Sequence, residues 1–250
     1  MMAFFVPVLM QIHSGPMGVN QFAGPHVEKT YSYTVAAKST ITVASSNGRI
    51  SVKAGPAGKI TVVVNRRAGT QAALAALGEN VTQKDNAVTA QGTFPASCGD
   101  SCGSVDFIVT VPADASVVAQ TKNGEIGVEG VNGSVVAATQ HGPILCGNLG
   151  GNVKLASQNG MLNAGFRDLT HVSDIELGTQ NGGVRLVVPQ GAQIGTLSAG
   201  TQHGKIFSPL PLTIQPDGMG AKVDQRLSQH GPSVKMGTQN GDVNIVVVKS

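Results

Sequence analysis

A glycine recurs at Gly124, Gly133, Gly142, Gly151 and Gly160, every nine residues without a slip. Two positions after each stands an apolar residue (Ile126, Val135, Ile144, Val153, Leu162), and four positions after stands another (Val128, Ala137, Cys146, Leu155, Ala164). The residues between, such as Glu125, Ser134, Asn152, Lys154 and Asn163, are mostly small or polar. Alternation with a period of two describes a strand with one buried face. Short strands of this kind bury a core only by stacking, so a strict repeat of them joined by glycine turns implies a pile of like units. The expected fold class is all-β: a β-solenoid, or single-stranded β-helix-like stack of short strands with Asn-Gly or His-Gly turns.

Beyond residue 166 the period loosens, but its signature returns. A tetrapeptide of Thr or Ser, Gln, Asn or His, and Gly occupies 139–142, 157–160, 179–182, 201–204, 228–231 and 238–241. Apolar pairs follow again at Val184/Leu186 and Val243/Ile245, and one residue late at Val234/Met236. The 209–221 stretch reads as a loop, and Val243–Lys249 as an edge strand guarded by its lysine.

Earlier in the chain, Tyr31, Tyr33 and Val35 alternate on one face, and Asn47-Gly48 leads into Ile50 and Val52. Thr70 caps a short helix at 71–77 that Gly78 ends, and 81–90 reads as a hairpin. The expected organisation is a tail at 1–28, an antiparallel β region with one short helix at 29–112, and the repeat stack at 113–250, the last two forming one continuous domain. The helix and hairpin flank or cap one end of the stack. Strand edges left open at either end give a route to self-association.

Composition narrows the function. Of 250 residues, 33 are Gly and 12 % are charged, about half the usual ~25 %. The net charge of +3 is spread thinly, and there is no Trp. A nucleic-acid groove needs a basic stripe with aromatic platforms, so nucleic acid is not expected as a partner. The apolar Met1–Met10 is about half the ~20 residues that span a bilayer, and reads as either a shortened secretory leader or an apolar tail. Cys98 and Cys102 are spaced for a small disulfide loop if the protein is exported, whereas Cys146 lies in the inward register of the repeat as a small apolar residue.

Few residues invite a chemical role. His141, His203 and His230 precede turn glycines where sister repeats carry Asn, which suggests a backbone position tolerant of positive φ rather than a metal ladder. Asp174 and Glu176 share a strand face and are the one candidate carboxylate pair. No Walker loop or H-E-x-x-H is present, and no cofactor or metal is expected.

The runs 121–133, 179–186 and 238–245, with the strand Val109–Val117 ahead of them, resemble a bacterial family of unknown function known as "putative adhesin", or toast-rack β-solenoid. The resemblance covers residues 31–248. It implies an exported or membrane-associated β-strand-repeat solenoid and offers no catalytic residues.

Two functions follow as expectations. The first is a non-catalytic, adhesin-like surface or periplasmic module in the cell envelope or secreted, binding an envelope component or a polysaccharide, with Lys154, Arg185, Lys205 and Phe207 as contact candidates. The second is a β-helix carbohydrate-active enzyme, a polysaccharide lyase or hydrolase, using Asp174 or Glu176.

Overall fold

The computed structural model describes residues 24–97 and 102–249. The apolar Met1–Met10, most of the expected tail, and Cys98 lie outside the described residues. Strand β1 (His26–Thr34) begins within the expected tail. It is followed by β2 (Thr40–Asn47), β3 (Ile50–Gly55) and β4 (Lys59–Ala68). The helix α1 (Gln71–Ala76) has the Thr70 hydroxyl accepting from the Ala73 N–H as its N-cap. Then come β5 (Gly78–Lys84), β6 (Ala87–Thr93), β7 (Gly103–Pro112), β8 (Ser116–Asn123) and β9 (Ile126–Glu129). The repeats supply β10 (Val135–His141), β11 (Ile144–Leu149), β12 (Val153–Asn159), β13 (Leu162–Phe166), β14 (Asp174–Asn181) and β15 (Val184–Pro189). The rest of the chain forms β16 (Thr196–His203), β17 (Ile206–Phe207), β18 (Gln215–Asp217), β19 (Gly220–Arg226), β20 (Ser233–Asn240) and β21 (Val243–Val248).

The strands form two sheets. The first runs β1-β4-β7-β3-β9-β11-β13-β15-β21-β17, and the second runs β18-β19-β16-β20-β14-β12-β10-β8-β2-β6-β5. Successive repeat strands alternate between sheets, so one coil is a pair of strands rather than a single strand. From Thr121 to Thr139 to Ser157 the register advances one coil per 18 residues, two of the nine-residue units. The turn glycines accordingly divide between two edges. Gly124, Gly142 and Gly160 lead into the first sheet, and Gly133 and Gly151 lead into the second.

The coils do not stack in chain order. β2/β3 lies between β6/β7 and β8/β9, and β20/β21 lies between β14/β15 and β16/β17. This corrects two expectations. The region 29–112 is antiparallel only in part: β1, β4 and β7 pair antiparallel, but β2 pairs parallel with both β6 and β8. The strand at 243–248 is interior, with β15 on one side and β17 on the other, because the coil before it at 196–207 takes the outer place. The 209–221 stretch is also not all loop, since β18 forms a hairpin with β19.

The core lies between the sheets in columns. Val117, Val135, Val153, Ile175, Val234 and Leu197 stack on the second sheet, opposite Ile126, Ile144, Leu162, Val184, Val243 and Ile206 on the first. All are buried. Removing each from water contributes about 1.5–3 kcal/mol. Cys146 sits in this interior at 1 % exposure, as its register predicts.

Candidate functional site

The Thr/Ser-Gln-Asn/His-Gly tetrapeptides build one edge of the stack, and each position meets a different physical demand. At the first position, Ser45, Thr121, Thr139, Ser157, Thr179, Thr238 and Thr201 align across neighbouring coils. Each hydroxyl from Thr121 onward donates to the turn-glycine carbonyl of the adjacent coil. The distances are 3.1 Å for Thr179 to Gly160, 2.9 Å for Thr238 to Gly182 and 2.8 Å for Thr201 to Gly241. Such a bond satisfies a buried acceptor at the turn.

The glycine is required by space as well as by backbone angle. A Cβ on Gly160 would lie 1.8 Å from the Gly142 carbonyl oxygen, and one on Gly142 would lie 2.1 Å from that of Gly124. Gly142 also holds φ at 144°. Adjacent coils therefore pass with no room for a side chain.

At the third position, Asn123, His141, Asn159, Asn181, Asn240 and His203 form a column. Their side chains bond along it. Asn181 Nδ2 donates to Asn159 Oδ1 at 2.8 Å, Asn240 Nδ2 donates to Asn181 Oδ1 at 2.8 Å, and Asn159 Nδ2 lies 3.2 Å from His141 Nδ1. Among the described residues, positive φ outside glycine occurs at Lys38, Asp85 and Asn148 alone. Positive φ therefore does not explain these histidines; His141 replaces Asn within a side-chain ladder. The copy at 228–231 stands outside the ladder, with Ser228 Oγ bonded to the Gln193 side chain at 3.2 Å and to the His230 N–H at 3.1 Å.

The four contact candidates are not brought to one place. Lys154 is on the outward face of the second sheet, ion-paired with Glu176 at 2.8 Å. Arg185 is on the outward face of the first sheet, in a row with Asn244 and Phe207, and Phe207 is 48 % exposed. Lys205 lies on the turn edge, where its N–H donates to Asp242 Oδ1 at 2.8 Å. Only Arg185 and Phe207 share a surface.

Asp174 and Glu176 both face outward on β14, and Lys154 engages Glu176. That contact raises the pKa of the Lys154 ammonium, chiefly through the hydrogen bond. A cleft of about 560 Å³ opens where β16 and β19 meet the 213–215 segment, and Asp224 is the single carboxylate among its lining residues. Among the described residues no three or more His, Cys, Asp or Glu are grouped to hold a metal ion. No helix there is long and apolar enough to cross a membrane. Cys102 is buried and disulfide-bonded, while Cys98 lies outside the described residues.

A charged cluster that sequence reasoning missed lies at the β1 end of the stack. The Glu79 side chain, 2 % exposed, is ion-paired with Lys29 at 2.7 Å and with Arg66 at 3.1 Å, and accepts a hydrogen bond from the Tyr31 hydroxyl at 2.9 Å. Desolvation and the Glu79 hydrogen bond push the Tyr31 phenol up to about 12. Tyr31 and Glu79 lie 48 positions apart in the chain, so no local pattern announces their contact.

No protein-family model matches the chain, and no curated protein matches its sequence. Among solved structures, the chain is similar to a putative cell adhesion protein from Clostridium sporogenes at 11 % identity, covering 88 % of this chain and 100 % of that one with a TM-score of 0.39. It is similar to a putative adhesin from Bacteroides fragilis at 16 % identity, covering 88 % and 97 %, with a TM-score of 0.36. It is also similar to a putative adhesin from Parabacteroides distasonis at 11 % identity, covering 89 % and 98 %, with a TM-score of 0.25. The chain is thus similar to proteins carrying the label of the family that its turn-glycine repeats resemble.

Proposed function

We propose that the chain is a non-catalytic β-solenoid that presents binding surfaces in the cell envelope or outside the cell, an adhesin-like module whose partner is an envelope component or a polysaccharide. The observation that carries this reading is the turn-edge ladder. Its hydroxyls, side-chain amides and glycines are used to lock coil to coil, which leaves long, regular outward rows as the chain's surface. A scaffold of this kind gives a rigid display whose contacts repeat at each coil.

The enzyme alternative rests on Asp174 and Glu176. A glycosidase needs two carboxyl groups flanking the scissile bond, one of them free to hold a proton. The Glu176 carboxylate is already engaged by the Lys154 ammonium in an ion pair, and the cleft beside β19 offers Asp224 alone.

Fractionation of native cells, with mass spectrometry of the mature N-terminus and pull-down of purified envelope by the intact protein, tests the reading. The expected result is envelope or extracellular protein that retains envelope material. A cytoplasmic protein with no affinity for envelope overturns it, as does turnover of a uronic-acid polymer that Glu176→Gln abolishes.

A further inference from the structure

The second position of the tetrapeptide is the one that the fold does not explain. Gln140, Gln158, Gln180, Gln239 and Gln202 stand on β10, β12, β14, β20 and β16, which are consecutive in the second sheet. All five are exposed, and no hydrogen bond engages any of their side chains. The hydroxyl, amide or imidazole, and glycine beside them each answer a demand of stacking, yet any polar residue would serve at this position. Instead the same uncharged amide recurs on five adjacent coils, about 4.8 Å apart.

The surroundings of the row favour a neutral partner. On the far side of the glycines, the coils of Gln140, Gln158 and Gln180 present the uncharged Pro143, Met161 and Gly183, with Met161 at 47 % exposure. Charged residues flank this uncharged run: Lys122 and the Arg49–Glu125 pair (2.5 Å) precede Gln140, and Asp242, which accepts from the Lys205 N–H, and Lys205 follow Gln239 and Gln202. A free carboxamide offers two donors and an acceptor, which suits a pair of neighbouring sugar hydroxyls. An exposed thioether and proline ring offer an apolar surface to the C–H face of a sugar ring.

We propose that the glutamine row is the contact line for a neutral polysaccharide lying along the stack axis. This rests on the binding-module reading above and names the surface and the partner class. Each amide contributes one weak contact, and the polymer gains retention because successive contacts are made within one complex.

Affinity electrophoresis of the intact protein in gels cast with dextran, mannan or a linear β-glucan tests it, with pectate as an anionic comparison. At least one neutral polymer is expected to retard the protein. The Q158A/Q180A/Q239A variant should lose that retardation by at least about tenfold with an unchanged melting temperature, since three exposed amides are removed. Lys53→Ala and Lys235→Ala, on the two sheet faces, should leave it unaltered. Retardation that survives the triple substitution overturns the proposal. Binding of envelope or pectate without any neutral polymer overturns the glutamine row and leaves the binding-module reading standing. Binding of neither removes both.

Discussion

The hydroxyl of Thr179 donates to the carbonyl of Gly160, one coil away, at 3.1 Å. The threonine is 7 % exposed, so water is a poor substitute donor. Thr179→Val keeps the shape and removes the bond, and should cost about 1–3 kcal/mol in urea unfolding. Thr179→Ser, which retains the hydroxyl, should recover most of that loss.

Two glycines eighteen positions apart should respond in opposite directions. A Cβ at Gly160 collides with the Gly142 carbonyl, whereas one at Gly178 meets nothing within 4 Å. Gly160→Ala should destabilise the fold by more than about 2 kcal/mol, because neighbouring coils must separate. Gly178→Ala should be neutral or stabilise by about 0.5–1 kcal/mol, the usual cost of glycine within a strand. Paired thermal melts check the contrast.

Glu79→Gln should be among the more damaging single-atom changes. It leaves Arg66, whose side chain is 14 % exposed, without its carboxylate. Removing one partner of a buried pair costs about 3–5 kcal/mol, and the residual access of Arg66 to water places this variant near the lower figure. Lys154→Ala breaks an exposed pair instead, and should change stability by less than about 1 kcal/mol.

Burial pushes the Cys146 thiol up to about 12, from an ordinary value of 9.0. The folded protein therefore keeps a proton that the unfolded chain has released once pH exceeds 9. Its contribution to stability is complete below the ordinary value and is lost as pH rises towards 12, with Tyr31 acting in the same direction above its ordinary 10.0. Unfolding free energies measured between pH 8 and 11 should fall, and a maleimide should label Cys146 only after denaturation.

The all-β class and the inward register of Val135, Ile144, Val153 and Leu162 were legible because period-two alternation reports directly on burial. The number of strands per coil was not, since a nine-residue unit is compatible with a turn at every glycine whichever sheet the next strand joins. The placement of β20/β21 inside the stack was equally hidden. Pairing between residues 179 and 238 leaves no local trace beyond the shared tetrapeptide, which 228–231 also carries without joining the ladder. The meaning of the histidines was misread for a related reason: the bond from Asn159 to His141 spans 18 residues and belongs to the stack rather than to the turn.

Because β20/β21 fills the place between β14/β15 and β16/β17, this protein cannot assemble like a column extended one drum at a time. A chain emerging from a ribosome or a narrow pore delivers residues 196–207 before the surface on which they rest exists. That stretch must wait, with Leu197 and Ile206 unburied, until residue 248 has cleared the exit. The final event is then a closure that seats two coils together, so its rate should depend on the 208–232 tether more than on any local strand preference. Premature release would yield a body whose last two coils are missing as a block, not one short by a single rung.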